Sequence, residues 1–119
     1  MDSIVPIIPD DLAGFAGQAA EAVAVLKSIA HEGRLLVLCY LGEAGELSVG
    51  ELVHRIGLSQ SALSQHLAKL RAEGLVATRK SSQTVFYRVA DPRVLTLLAT
   101  LHELYCPALG GAEKDRIEI

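Results

Sequence analysis

Apolar residues recur at three- and four-residue intervals along the first third of the chain and predict two helices there. The first should begin at Asp10 or Asp11, because an aspartate side chain caps a helix N-terminus well, and should run to about Ala30. Its apolar positions are Leu12, Phe15, Ala19, Val23, Leu26 and Ile29. The second should span residues 34–41 and end at Gly42, since glycine commonly ends a helix.

Two further helices are marked by residues that favour helix N-termini. Ser48 and Glu51 have the spacing of a capping box, so a short helix should begin at Ser48 and end at Gly57. Ser59 is placed to cap the next helix, which should end at Gly74. The buried stripe of this fourth helix is predicted to consist of Leu63, Leu67 and Leu70.

A β-hairpin and a final helix are predicted for the rest of the chain. The segments LVATRK and TVFYRV alternate apolar and polar residues around the short polar loop SSQ, which is typical of an antiparallel hairpin. Asp91-Pro92 should start the final helix, VLTLLATLHELYC, and Pro107 should end it. This helix is apolar nearly all round, so we expect it to be buried on more than one side.

The order of these elements predicts the fold class and the domain limits. Four helices, two strands and a fifth helix, with a tight turn between the third and fourth helices, indicate a mainly α winged helix-turn-helix with a small β-hairpin. The 119 residues are enough for one domain. We expect this domain to span 10–107, between a flexible N-terminal segment, 1–9, and a flexible C-terminal tail, 108–119.

Charge is distributed unevenly, and the distribution favours a polyanionic partner in the middle of the chain. The net charge is −3. Counting Lys and Arg against Asp and Glu, residues 1–54 carry 2 against 8, residues 55–88 carry 6 against 1, and residues 89–119 carry 3 against 5. The middle segment therefore has a charge of +5, and a local basic surface attracts nucleic acid whatever the total charge is.

The outer face of the fourth helix is rich in uncharged hydrogen-bonding side chains, where a merely solvated helix would prefer Glu and Lys. Gln can bond adenine through two hydrogen bonds, and Ser can bond several base edges. We predict that the lysine and arginine side chains of this region contact phosphates. The predicted DNA contacts are Ser59, Gln60, Ser61, Ser64, Gln65, His66, Lys69, Arg79, Lys80, Gln83 and Thr84. His66 lies at the edge of the inward face, so a packing role for it is an equal alternative. A winged helix that serves only protein–protein contacts is a further alternative.

One stretch, ELSVGELVHRIGLSQSALSQHLAKLRAEGLVATRKSSQTVFYRV (46–89), resembles the DNA-binding core of ArsR/SmtB-family repressors. The segments LKSIAHEGRLLVLCYL and LHELYCP extend this resemblance to about residues 20–107. The resemblance implies a homodimer that is joined through the first and last helices and binds an imperfect palindrome of double-stranded DNA near a promoter.

The metal sites of that family do not have their usual ligands in this sequence. Ser48-Val49-Gly50 stands where arsenic and cadmium sensors have Cys-x-Cys, and the last helix offers only the adjacent residues His102 and Glu103. We therefore expect no metal and no cofactor. The alternative is a metal-responsive repressor with a non-standard site, built from Cys39, Cys106 and either His31 or His102.

Cys39 and Cys106 are the two cysteines. From their residue type alone both can be packing residues, since free cysteine often packs as a small hydrophobe. The contexts LxxLCYL and LYCP, however, resemble the dithiol branch of the family, the BigR-, SqrR- and HlyU-like regulators. That resemblance implies redox sensing, in which reactive sulfur species or oxidants join Cys39 to Cys106 by a disulfide or polysulfide bridge and lower the affinity for DNA.

Two other classes of protein are disfavoured. A thiol enzyme is disfavoured because Cys39 lies in the apolar run Leu35-Leu36-Val37-Leu38, whereas a nucleophile needs exposure and a positioned base, so we expect no catalytic residue. No run reaches the roughly 18 apolar residues of a membrane span. The start, MDSIVPIIPDD, is acidic and interrupted by proline, unlike a signal peptide. We therefore expect a cytoplasmic protein with no membrane partner.

Overall fold

The structure, a computed structural model, describes residues 12–106. Within that range the chain forms α1 (Leu12–Ala16), α2 (Ala19–Ile29), α3 (Glu32–Ala44), β1 (Leu47–Ser48), α4 (Val49–Ile56), α5 (Gln60–Ala72), β2 (Val76–Ser81), β3 (Thr84–Val89) and α6 (Pro92–Tyr105). The predicted flexible segments 1–9 and 108–119, the N-cap at Asp10 or Asp11 and the stop at Pro107 lie outside the described residues.

The predicted N-caps of α4 and α5 are confirmed. Ser48 Oγ accepts a hydrogen bond from the backbone N–H of Glu51 at 3.2 Å, and the Glu51 carboxylate accepts one from the backbone N–H of Ser48 at 2.8 Å. Ser59 Oγ accepts one from Ala62 N–H at 3.1 Å. Gly57 ends α4 with φ of 88°, in the left-handed region that glycine adopts without strain. Each cap contributes about 1 kcal/mol, and together they fix the turn between α4 and α5.

The three strands form an antiparallel sheet in the order β1-β3-β2. The predicted hairpin is confirmed as β2 and β3, with Ser81 opposite Thr84 and with Ser82 and Gln83 as the turn. The third strand, β1, was not predicted, because two residues are too few to show an alternating pattern. It pairs with β3 through Leu47 and ties the N-terminal end of α4 to the hairpin.

The prediction of one helix over residues 10–30 is wrong, because the chain turns between α1 and α2. At this break Gly17 N–H bonds the carbonyl of Gly14 at 3.2 Å, and Gln18 N–H bonds that of Phe15 at 2.8 Å. These three-residue hydrogen bonds tighten the turn and end α1. The apolar spacing continues across the break, so periodicity alone could not locate it.

The predicted end of the second helix at Gly42 is also wrong. This helix, α3, continues to Ala44 and is followed by Gly45, whose φ is 88°. Gly42 lies inside α3 where it approaches α6, because a Cβ atom at this position would be only 3.4 Å from Leu95 Cδ2. The glycine is therefore explained by helix packing and not by helix termination.

The core lies among α3, α4, α5, α6 and the sheet, and its fully buried side chains are Val37, Leu38, Leu41, Leu52, Leu63, Leu67, Leu70 and Val94. The predicted stripe of α5 is confirmed by three of these leucines. By contrast, α6 buries only Val94 and Leu98 within a single chain, so the expected burial on several sides is not met there.

Candidate DNA-binding surface and cysteine pair

One face of α5 carries exposed, uncharged, hydrogen-bonding side chains, and we call it the reading face (Gln60, Ser61, Ser64 and Gln65). It lies opposite the buried leucine stripe of the same helix. Among residues 12–106, none of these four side chains is engaged in a hydrogen bond with another residue. Their donors and acceptors are therefore available to base edges or to another polar partner.

The N-terminus of α5 adds a site that favours anions. The first turn of α5 contains no acidic residue, and its backbone N–H groups carry the positive end of the helix dipole. Ser59, which was predicted to contact DNA, already uses Oγ to accept the capping hydrogen bond. Its hydroxyl hydrogen is still a donor that can reach a phosphate oxygen.

The two predicted lysine contacts differ in their surroundings. Lys69 Nζ lies 3.1 Å from the carboxylate of Glu73, one turn along α5. The hydroxyl of Ser28 also donates to this carboxylate, and the hydrogen bonds from Ser28 and then Lys69 lower the pKa of Glu73. Lys80, near the outer end of β2, is exposed and forms no ion pair with any residue in the described range.

Arg79, a predicted DNA contact, already has interaction partners within the protein. Its guanidinium makes two hydrogen bonds to the Glu46 carboxylate, at 3.0 and 2.8 Å, and lies 4.8 Å from the ring centre of Phe86. Phe86 is its cross-strand partner in the hairpin. The pKa of Glu46 is lowered mainly by its hydrogen bond from Arg79. Glu46 was not predicted as part of this site, because it lies 33 residues away from Arg79 and no local pattern joins the two.

The remaining predicted hairpin contacts lie at the tip of the wing, the hairpin formed by β2 and β3. Gln83 is exposed in the two-residue turn, after Ser82, whose φ is 56°. Thr84 is exposed at the start of β3. Gln83 and Thr84 thus lie together with the end of β2. They belong to the wing, an element separate from the reading face.

His66 is half-buried and packs against α3. Its ring centre lies 4.7 Å from that of His31, and the rings are inclined by 54°. Burial is the main cause that lowers the pKa of His66, followed by the positive charges of His31 and Arg34. A Cβ atom at Gly33 would lie 2.8 Å from His66 Nε2, so the two helices are in close contact here. The geometry therefore supports a packing role for His66, and the contact between His66 and DNA stays a prediction.

The two cysteines are brought to the same region. Cys39 lies on α3 and Cys106 directly follows α6; both are half-buried free thiols. Burial raises the pKa of Cys39, and the negative charge of an ionised Cys106 raises it further, so the two groups are within electrostatic reach of each other. Beside Cys39 is a cleft of about 290 Å³, which we call the thiol cleft, lined by Cys39, Gly42, Glu43, Leu95, Leu98, Ala99 and His102.

Potential metal ligands are not gathered in the described part of the chain. Between residues 12 and 106 no group of three or more His, Cys, Asp or Glu side chains is positioned to hold a metal ion. His31, one ligand of the alternative metal site, caps α3 by accepting a hydrogen bond from Gly33 N–H at 3.0 Å. It is two helical turns from Cys39 along α3, whereas His102 lines the thiol cleft.

No helix within residues 12–106 combines the length and the apolar character needed to cross a membrane.

Comparison with known proteins identifies the family. Residues 31–78 match the pattern described as "Bacterial regulatory protein, arsR family". The chain is also 53% identical over 100 residues to transcriptional activator HlyU from Vibrio cholerae, which covers 84% of this chain and 92% of that protein. The chain belongs to the ArsR family. It is therefore a DNA-binding transcriptional regulator and not an enzyme.

Solved structures of other ArsR-family proteins confirm the winged helix-turn-helix fold. Reduced HlyU from Vibrio cholerae is 54% identical and superposes with a TM-score of 0.73, over 78% of this chain and 97% of that one. The transcriptional repressor BigR from Xylella fastidiosa is 38% identical, with a TM-score of 0.75 over 79% of this chain and 95% of that one. The resemblance to the HlyU and BigR branch of the family is thus confirmed.

Proposed function

We propose that this ArsR-family protein is a thiol-controlled repressor. As a homodimer with reduced cysteines it binds a palindromic operator, and it leaves the DNA when Cys39 and Cys106 are linked by a disulfide or a per- or polysulfide bridge. The observation that carries this proposal is the placement of two half-buried free thiols, one on α3 in a cleft that α6 also lines and the other directly after α6.

Exposed apolar side chains support the homodimer. They lie mainly on the first two helices and the last one: Leu12, Phe15, Val23, Leu26, Leu104 and Tyr105. Their exposure reaches 80% at Tyr105, although burying apolar surface stabilises a protein by about 25 cal/mol per Å². A second copy of the chain would cover these residues in a symmetric interface made by the first and last helices.

Twofold symmetry supports the palindromic operator. A dimer presents two copies of α5, and winged or simple helix-turn-helix dimers place their recognition helices about 34 Å apart, one turn of DNA. Each reading face then meets one half-site. The basic groups Lys69, on α5, and Lys80, on the wing, position the protein on phosphates without reading the sequence.

A covalent link between the cysteines would act on the dimer through α6. Oxidation removes two electrons and two protons from the thiols and fixes the end of α6 to α3. Because α6 is also part of the proposed interface, its shift changes the angle between the two copies of α5. Loss of the contacts at one half-site costs several kcal/mol, on the order of 3 or more, which is enough to empty the operator.

Two single substitutions test the thiol switch. The variants Cys39→Ser and Cys106→Ser should each bind the protein's own promoter in a gel-shift assay as the reduced wild type does. After treatment with hydrogen persulfide, the wild type should release the DNA, and mass spectrometry should show a link between the cysteines. Both variants should keep the DNA bound after this treatment, and dithiothreitol should restore DNA binding by the treated wild type. A response that persists in both variants would contradict the proposal.

Salt dependence tests the interaction with DNA itself. A protein that grips several phosphates should lose affinity by about 10³-fold between roughly 50 and 200 mM salt, because counterions are released on binding. A winged helix that serves only protein–protein contacts would lack this steep dependence.

A metal-responsive repressor is the second candidate function. The observation in its favour is that His102 lines the same cleft as Cys39, close to Cys106. Stoichiometric zinc in the purified, reduced protein, measured by elemental mass spectrometry, would favour this candidate over the thiol switch.

A further inference from the structure

The thiol cleft gives Cys39 an approach route of limited size. Its volume is about 290 Å³, which is at the lower end of ligand cavities in proteins. The α6 side of the cleft consists of three apolar residues, Leu95, Leu98 and Ala99, and of His102. Molecules with a short hydrocarbon body therefore fit the apolar part of this wall better than long polar ones.

Gly42 keeps the cleft open next to the thiol. It follows Cys39 by three residues, so both lie on the same face of α3. A Cβ atom at Gly42 would lie 3.4 Å from Leu95 Cδ2 and 3.9 Å from Leu98 Cδ1. Alanine can thus be accommodated, and its methyl group would narrow the space between α3 and α6.

Glu43 gives the cleft a negative side. It is exposed and follows Cys39 by four residues, which again places it on the same face of α3. No lysine or arginine is among the described residues that line the cleft. A carboxylate at this position repels an anion that approaches Cys39, while an uncharged molecule is not affected.

We propose that the thiol cleft selects the sulfur donor, so that small uncharged organic polysulfides of the dialkyl trisulfide class reach Cys39 while large anionic ones such as glutathione trisulfide are held back. This inference rests on the proposed thiol switch and names its effector class.

The reaction with dimethyl trisulfide proceeds by two exchanges. The Cys39 thiolate attacks a methyl-bearing sulfur, an S–S bond breaks, and methyl persulfide leaves with the proton, so that Cys39 carries a methylthio group. The Cys106 thiolate then attacks Cys39 Sγ and displaces methanethiol. In sum, two thiols and one trisulfide give one protein disulfide, methyl persulfide and methanethiol. The cysteines are oxidised and the trisulfide is reduced.

A good leaving group matters at this site. Burial raises the pKa of Cys39, so only a small fraction of it is thiolate at neutral pH. Because exchange is faster when the leaving sulfur has a low pKa, a trisulfide that releases a persulfide compensates for the scarce thiolate.

The test measures the first exchange alone, in the full-length Cys106→Ser variant. The rates at which dimethyl trisulfide and glutathione trisulfide modify Cys39 are measured by mass spectrometry. Each rate is divided by the rate at which the same donor modifies free N-acetylcysteine. We expect this normalised rate to be about tenfold higher for dimethyl trisulfide, as repulsion and size act together. Equal normalised rates would overturn the inference.

Two further substitutions, each made in the Cys106→Ser background, separate charge from size. Glu43→Gln should reduce the donor preference from about tenfold to a few-fold, because the repulsion is removed. Its matched control is Glu103→Gln, since Glu103 is exposed on α6 and does not line the cleft, and this variant should keep the full preference.

Gly42→Ala should slow the modification of Cys39 by diethyl trisulfide more than its modification by dimethyl trisulfide. Alanine is a better helix former than glycine, so the fold is retained, as the melting temperature will verify.

The outcomes distinguish this inference from the proposed function. Release of DNA by both donors, with equal normalised rates for Cys39, would uphold the thiol switch and overturn the donor selection. The expected donor preference at Cys39 with no release of DNA from the wild type would uphold the selection and overturn the switch. A Cys39 that reacts with neither donor would overturn both.

Discussion

Helix α5 and the wing were both predicted to contact DNA, but their polar side chains differ in how far they are already engaged within the protein. On α5, the four side chains of the reading face form no hydrogen bond with other residues in the range 12–106. On the wing, Arg79 is bound by two hydrogen bonds to Glu46 and stacked on Phe86, whereas Lys80 is exposed without an ion pair in that range.

This difference teaches that residues with the same predicted role can have their hydrogen-bonding capacity free or already used. Base reading requires donors and acceptors that have no competing partner. A wing, by contrast, needs a fixed orientation relative to the rest of the domain, and the contact between Arg79 and Glu46 supplies one across the sheet. We therefore interpret the reading face as the source of sequence discrimination. Arg79 is interpreted mainly as a residue that fixes the orientation of the wing.

The largest expected effect is on discrimination by the reading face. The triple variant Gln60→Ala, Ser64→Ala and Gln65→Ala should lower the ratio of specific to non-specific affinity by about 100-fold or more, since each good base contact contributes roughly 1–3 kcal/mol. Competition gel shifts with the protein's own promoter and a scrambled fragment measure this ratio. Gln18→Ala, at an exposed glutamine outside α5, is the matched control. Unchanged discrimination in the triple variant would show that the reading face does not read bases.

A smaller effect is expected at the wing, where the salt dependence of affinity separates the two cations. Lys80→Gln should reduce the slope of log affinity against log salt by about 1, the value for one lost phosphate contact. Arg79→Gln should reduce it by less, because Glu46 already neutralises this side chain. Fluorescence anisotropy at several salt concentrations measures both slopes.

Glu46→Gln is the complementary variant for the wing. It frees the Arg79 guanidinium, so the affinity should rise and the slope should become steeper. A full unit lost in Arg79→Gln, together with no change in Lys80→Gln, would reverse the roles assigned to the two residues.

The smallest effect concerns the packing of α5 on α3 at His66. Because the pKa of His66 is lowered in the folded protein, the unfolded chain binds more protons around and below the ordinary value of 6.5. The free energy of unfolding should therefore fall as the pH drops through this window, and His66→Gln should make that fall smaller. Urea unfolding at about pH 7.5 and about pH 5.5 measures it. The exposed His54, changed to Gln, is the control, and an equal fall in all three proteins would contradict the prediction.

The features predicted correctly from the sequence are those set by neighbouring residues. The capping box of Ser48 and Glu51 and the cap at Ser59 depend on positions three residues apart, so they could be recognised directly. The buried stripe of α5 and the alternation in the hairpin follow from the regular geometry of a helix and a strand. The exposure of the reading face follows in turn from the position of that stripe.

The features that could not be predicted depend on residues far apart in the chain. His31 meets His66, Ser28 donates to Glu73, and Arg79 meets Glu46 only after the helices and the sheet have packed. The position of Gly42 inside α3 has the same origin, because the approach of Leu95 gives the glycine its role. Local patterns carry no information about such pairs.

Gly33 and Cys39 lie on the same helix, α3, six residues apart. The space for a side chain at Gly33 is filled by the imidazole of His66, on α5. If the proposed link between the cysteines rotates α3, this contact passes the rotation to α5 inside one subunit, in addition to the proposed effect through α6. A monomeric variant would keep this route from Cys39 to α5, even though it would contact only one half-site of the proposed operator.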